Sequence, residues 1–218
     1  MTYVKICGCR TVEEALAARD AGADFIGLVF AESPRRVPVE TARQIADALG
    51  RVETAAGAAS GVPGDGADRL ERLLATRHPL LVGVFEGQSA NEVESIATRS
   101  GIDVVQLHGD VAFRDLSRRR PVIRAVEASS ADHPALSGPV MCLLDSSRGR
   151  GRRGDWESLA KVASRMPVIL AGGLTPENVA GAARRVRPWG VDVSSGVETA
   201  GRKDAAKMRE FVAAAKGA

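Results

Sequence analysis

The feature that most constrains this sequence is a rhythm. Short runs of β-branched and aliphatic residues occur eight times, each followed by a connection that usually has helical spacing. The strand candidates are residues 3–7, 24–30, 80–85, 103–108, 121–126, 140–145, 168–171 and 191–194. Most are continuously apolar, as parallel strands covered on both faces are. The helical segments are 11–21, 39–49, 90–99, 113–119, 156–165, 176–186 and 204–216. In 39–49, Ala42, Ile45, Ala46 and Leu49 fall at i, i+3, i+4 and i+7, and in 204–216 Met208, Phe211, Val212 and Ala215 share one face. Thr11 with Glu14 reads as a capping box, and Thr175 before Pro176 as an N-cap with proline at the first helical position.

Eight such units predict one α/β domain over 1–218, a (β/α)8 TIM barrel; a doubly wound sheet is the alternative. Two places break the rhythm. Residues 54–68, rich in Gly and Ala, form an irregular insertion between strands two and three, followed by a short extra helix over 67–76. After strand five, residues 127–137 are polar and contain Pro134, so the fifth helix is weak.

Composition narrows the classes further. The chain has 218 residues, 44% hydrophobic and 26% charged, which excludes global disorder and gives enough length for one sizeable core. No apolar run approaches the roughly 18 residues of a membrane span, and residues 1–10 lack a charged-then-apolar leader pattern. Three cysteines, an odd number, argue against a disulfide framework and point to the cytoplasm. The net charge of +3 is mild, and no aromatic residue interleaves the arginine clusters at 118–120, 148–153 and 184–187, so nucleic acid is not an expected partner.

In a parallel barrel the chemistry sits at the C-terminal strand ends. Cys7 ends strand one, Arg35 follows strand two, His108 ends strand four and Asp145 ends strand six. Gly172 and Gly173 follow strand seven, and Ser195 and Gly196 follow strand eight. Side-chain alternation places Tyr3 and Lys5 on the inward face with Cys7, Met141 and Leu143 with Asp145, Gln106 with His108, and Asp192 with Ser194. An inward lysine needs an acid, and Asp192 is the expected partner of Lys5. The glycines after strands seven and eight suit backbone contacts to a phosphate. Taken singly these residues stay ambiguous. Cys7 suits a small buried hydrophobe or a thiolate, His108 a structural histidine, Asp145 a cap or an arginine partner. Cys7-Gly8-Cys9 lacks the second pair that a metal site would need.

Together the motifs resemble the phosphoribosylanthranilate isomerase family. The likeness is carried by Val4-Lys5-Ile6-Cys7-Gly8, the stretch 21–30, Ser33-Pro34-Arg35, Val105 to Gly109, Leu143-Leu144-Asp145, Asp155-Trp156, Ala171 to Leu174 with Pro176 to Val179, Val191 to Glu198, and Lys203-Asp204. The resemblance implies an Amadori rearrangement of N-(5-phosphoribosyl)anthranilate without a cofactor or metal. Asp145 would be the general acid on the ribose ring oxygen and Cys7 the general base at C2′. Arg35 would hold the anthranilate carboxylate, the loops at 172–173 and 194–196 the phosphate, with His108 and Asp192 completing the substrate site. The acid must arrive protonated and the base as a thiolate, and Lys5 is placed to favour the latter.

The resemblance has departures. Arg36 stands where the family often has an aromatic residue, the loop after Asp145 is the arginine-rich stretch 148–153, and 51–79 is long. Two other readings compete: a histidine-pathway or dual-substrate sugar-phosphate isomerase, and a non-catalytic phosphate-binding barrel. The former uses paired aspartates at strands one and five, where this sequence places Cys7 and Val126. The expected partner is a phosphorylated small molecule, and the expected state a monomer or homodimer.

Overall fold

The computed structural model describes residues 2–50, 66–109, 113–127, 140–145 and 156–218. Eight parallel strands close into a barrel in the order β1 (Tyr3–Cys7), β2 (Phe25–Val29), β3 (Leu80–Glu86), β4 (Val104–His108), β5 (Val122–Glu127), β6 (Met141–Asp145), β7 (Val168–Ala171) and β8 (Gly190–Val193), with β8 pairing back onto β1. The doubly wound alternative is thereby excluded. The helices are α1 (Val12–Asp20), α2 (Val39–Ala48), α3 (Gly66–Thr76), α4 (Ala90–Ser100), α5 (Phe113–Arg119), α6 (Trp156–Ala163), α7 (Pro176–Val186) and α8 (Ala205–Lys216). After β8 comes a 3-10 turn at Ser195–Val197 and a small antiparallel pair, β9 (Glu198–Thr199) with β10 (Arg202–Lys203). No described helix is long and apolar enough to cross a membrane.

The pleat sorts the side chains as alternation requires. Val4, Ile6, Cys142, Leu144, Val191 and Val193 point outward and join the helix faces in one core, where Ala42, Ile45, Met208 and Phe211 are fully buried. Phe25, Leu80, Val82, Val104, Ile123, Met141, Leu143 and Ile169 point inward and form a second core inside the barrel. Each fully buried side chain of this kind contributes about 1.5–3 kcal/mol of transfer energy.

Helix α3, the extra helix after the insertion, closes the N-terminal mouth of this inner core. Its Ala67 and Leu70 are buried among the inward residues, and a Cβ on Gly66 would lie 2.2 Å from the backbone of Val140 and Met141. Below it Trp189 stacks on Tyr3 at 4.3 Å between ring centroids and donates Nε1–H to Glu71 of α3 at 2.8 Å. The insertion is therefore regular in its second half. Residues 51–65 of it, the weak fifth helix at 128–137 and the arginine-rich loop 148–153 lie outside the described residues.

Several expectations need correction. Strand β2 is shorter than 24–30 because Asp24 turns its carboxylate back to cap the Val4 N–H at 2.7 Å. Strand β5 continues to Glu127, so its last residue is acidic and pairs in register with Asp145, not Val126. Strand β8 starts at Gly190, opposite Tyr3, and ends at Val193. The capping box of α1 is half formed. Thr11 Oγ1 accepts from the Glu14 N–H, but buried Glu14 accepts from the Arg10 N–H at 2.7 Å instead of reaching back to Thr11.

Candidate active site

At the C-terminal mouth the interior turns polar, beginning one layer above the apolar core. Lys5 is 1% exposed, and its Nζ donates to Asp192 Oδ1 at 2.8 Å, directly across the β1–β8 seam. Cys7 follows two residues on, on the same inward face of β1. Burial works against this ammonium, but the charges of Asp192 and Cys7 outweigh it and raise its pKa, so Lys5 stays protonated. The Cys7 thiol sits opposite Gly27 in the β1–β2 register, and a Cβ there would fall 2.7 Å from the sulfur. A glycine in the middle of β2 is thus the space that the thiol occupies.

The chain then turns under Arg35. Gly8 has φ of +81°, and a Cβ on it would lie 2.6 Å from Arg35 Cδ and 3.3 Å from Ser194 Oγ. The loops after β1, β2 and β8 therefore touch at one residue. The loop carrying Arg35 is pinned by Val37 N–H to the Val29 carbonyl at 2.9 Å and by Arg35 N–H to Ser33 Oγ at 3.1 Å. Arg10 reaches across it, donating to the carbonyls of Pro34 at 3.5 Å and Gly201 at 2.6 Å.

Arg35 is clamped by a residue that the sequence did not single out. Its Nε and Nη2 donate to the two carboxylate oxygens of Glu198, each at 2.8 Å. Glu198 in turn accepts from Lys203 Nζ at 2.8 Å, and Lys203 also donates to the Ser194 carbonyl at 3.0 Å. Burial opposes the Glu198 carboxylate, but the hydrogen bonds from Arg35 and Lys203 prevail and hold its pKa down at about 2. The β9–β10 hairpin creates this contact by placing Lys203 opposite Glu198. Its two-residue turn, Ala200-Gly201, has positive φ at both positions, the geometry that matches strand twist.

His108 stands at the end of β4. Burial, and then the nearby Lys5 ammonium, lower its pKa, so the ring is neutral at pH 7. The Gln106 amide nitrogen lies 2.9 Å from His108 Nε2 and holds the ring at the strand end. Asp145, partly buried at the end of β6, is close enough for its charge to act on His108.

The loops after β7 and β8 interlock. Gly172 and Gly173 have φ of +95° and +65°, and Asn178 ties the loop by donating to the Gly173 carbonyl and accepting from the Thr175 N–H, both at 2.9 Å. A Cβ on Gly196 would lie 1.9 Å from the Leu174 carbonyl oxygen. The two loops are thereby packed backbone against backbone. Among the described residues no group of three His, Cys, Asp or Glu is placed to hold a metal ion.

Every site residue expected from sequence is described and lies at this mouth. Lys5, Cys7, Gly8, Arg35, Asp192 and Ser194 form one connected network; His108 and Asp145 stand across the mouth from it. Glu198, Lys203, Gly27, Gln106 and Arg10 are the additions. Gln106 was already placed on the inward face with His108 by alternation, and Gly27 carried a usable signal, an isolated glycine within an apolar strand; Glu198, Lys203 and Arg10 carried none in periodicity.

Comparison with known proteins identifies the relatives of this architecture. The family model described as N-(5'phosphoribosyl)anthranilate (PRA) isomerase matches residues 58–214. An N-(5'-phosphoribosyl)anthranilate isomerase of Roseiflexus sp. (strain RS-1) is 45% identical over 230 residues, covering 100% of this chain and 99% of the relative. The multifunctional tryptophan biosynthesis protein of Phycomyces blakesleeanus is 39% identical across 98% of this chain, which covers 32% of that longer protein. The crystal structure of the phosphoribosyl anthranilate isomerase from Thermotoga maritima superposes with a TM-score of 0.78 at 31% identity, over 100% of both chains. A further isomerase structure, in complex with reduced 1-(o-carboxyphenylamino)-1-deoxyribulose 5-phosphate, superposes with a TM-score of 0.76 at 31% identity, again over 100% of both chains.

Proposed function

The chain belongs to the N-(5'-phosphoribosyl)anthranilate isomerase family and is an isomerase of tryptophan biosynthesis, and from that premise we propose that Asp145 and Cys7 carry its chemistry as acid and base. The substrate is N-(5-phosphoribosyl)anthranilate and the product 1-(2-carboxyphenylamino)-1-deoxyribulose 5-phosphate.

In this reading the backbone N–H groups around Gly172, Gly173, Ser195 and Gly196, with Ser194, take the phosphate. Arg35 takes the ring carboxylate. Asp145 gives its proton to the ribose ring oxygen as the bond from that oxygen to C1′ breaks, and the anthranilate nitrogen lone pair forms the iminium. The Cys7 thiolate then removes the C2′ proton, and the electron pair of that bond flows toward the iminium to give an enolamine. Tautomerisation places a proton on C1′ and leaves the ketone at C2′. Proton transfer by a placed group is worth about 10²–10⁴-fold for each residue. His108 and Asp192 contact the opened sugar.

The observation that supports this assignment is the setting of Cys7. Its sulfur has a glycine-made recess beside it, the buried Lys5 ammonium stands two residues back on the same face of β1, and the next residue packs against both Arg35 and Ser194. We assign the enzyme to the cytoplasm on its three free cysteines, and to a monomer or homodimer that needs no macromolecular partner.

The test is turnover by the purified protein, followed as loss of anthranilate-type fluorescence, with the histidine-pathway aminoaldose run in parallel. Consumption of the first substrate alone is expected. Consumption of both would make it a dual-substrate isomerase, and of neither a phosphate-binding barrel without activity.

A further inference from the structure

We infer that Glu198 is a positioning residue that sets specificity for the carboxylated ring by aiming Arg35; the inference rests on the assignment of Arg35 to that carboxylate. An arginine has two edges that accept a carboxylate in bidentate fashion, and Glu198 occupies the Nε/Nη2 edge. The Nη1/Nη2 edge is consequently turned away from Glu198 and fixed in direction. Arg35 itself is only half-buried, so without this clamp its long side chain would sample several rotamers.

The clamp has a second anchor. Lys203, 1% exposed at its side chain, joins Glu198 to the Ser194 carbonyl through one ammonium. The arginine edge and the loop assigned to phosphate are thus referred to the same nitrogen atom. A ligand with a carboxylate at one end and a phosphate at the other meets two anion sites held at a set separation. Gly8 completes the fit, since its missing Cβ is the space taken by Arg35 Cδ. Of the three charges in the cluster, two are positive and one negative. Glu198 therefore reduces the attraction for an anion, and its contribution must come from geometry and not from charge.

That sign gives the experiment its power. Binding of reduced 1-(o-carboxyphenylamino)-1-deoxyribulose 5-phosphate is titrated beside its phenylamino counterpart without the ring carboxylate, on wild type, Glu198→Gln, Glu198→Asp and Arg35→Lys. Glu198→Gln keeps the size of the side chain and removes the charge. Glu198→Asp keeps the charge and draws the fork back by one methylene. Both are expected to weaken the carboxylated ligand about tenfold while the other ligand changes by less than about twofold. In turnover the loss falls on KM before kcat. If Glu198→Gln tightens the carboxylated ligand, or both ligands weaken equally, the inference is overturned. Arg35→Lys separates the two levels. Should it fail to distinguish the ligands, the assignment of Arg35 falls and takes the inference with it. Should it distinguish them while neither Glu198 variant does, the inference alone falls.

Discussion

The two mouths of this barrel are built from the same strands and could hardly differ more. At the N-terminal mouth, Tyr3, Phe25, Leu80, Met141 and Trp189 pack beneath α3, and Leu70 is fully buried among inward-facing side chains. At the C-terminal mouth, the same strands present Lys5, Cys7, Gln106, His108, Asp145 and Asp192, with glycines giving up volume to a thiol, an arginine and a neighbouring loop. Moving two residues along β1, from Tyr3 to Lys5, crosses from one regime to the other. The barrel's period-2 pleat thus lets one strand serve stability at its start and chemistry at its end.

The comparison can be broken by mutation. At the C-terminal mouth, Asp145→Asn is expected to lower kcat by about 10²–10⁴-fold while thermal unfolding stays close to wild type. A matching fall in Tm would mean that Asp145 is structural. Lys5 lies on the boundary and should fail in both ways. Lys5→Met leaves Asp192 without its ammonium, which costs about 3–5 kcal/mol in chemical denaturation, and it should also slow alkylation of Cys7 by iodoacetamide at pH 8. If the alkylation rate is unchanged, Lys5 is a structural partner of Asp192 and nothing more. At the N-terminal mouth, Leu70→Ala is expected to cost about 2–5 kcal/mol of stability with kcat/KM per folded molecule unaltered. A large loss of kcat/KM there would show the two mouths to be coupled.

A smaller effect sharpens the contrast through pH. The Glu198 carboxyl titrates at about 2 in the folded protein, against the ordinary carboxylate range near 4.5 when unfolded. A depressed folded value stabilises above the unfolded value, and that contribution is lost as pH falls through the folded one. The Tm gap between wild type and Glu198→Gln is therefore expected to be full above about pH 4.5 and to close toward pH 2. A gap that does not vary over that window would remove the charge of Glu198 from the stability account.

What the sequence disclosed follows from the same division. The eight strands, the inward faces and the Lys5–Asp192 pair were legible because alternation and the need to pair a buried lysine act locally and leave a pattern. The limits of the strands were less so. Strand β5 runs on to Glu127 because a residue at the polar mouth need not be apolar, so the apolar run ends before the strand does. The Glu198–Lys203 clamp was not legible. Its strands are two residues long, too short for any period, and the turn joining them is Ala200-Gly201 in place of the usual Asn-Gly or Asp-Gly. Glu14 misled for a related reason. Its spacing from Thr11 fits a capping box, but burial brought it to the Arg10 N–H and within 3.2 Å of Arg202 Nε.

The central claim is that the Cys7 thiolate removes the C2′ proton at the C-terminal mouth. Its most direct test is the kcat of Cys7→Ala on N-(5-phosphoribosyl)anthranilate, measured with its Tm. A fall of at least about 10²-fold with Tm near that of wild type is expected. Turnover at the wild-type rate would contradict it.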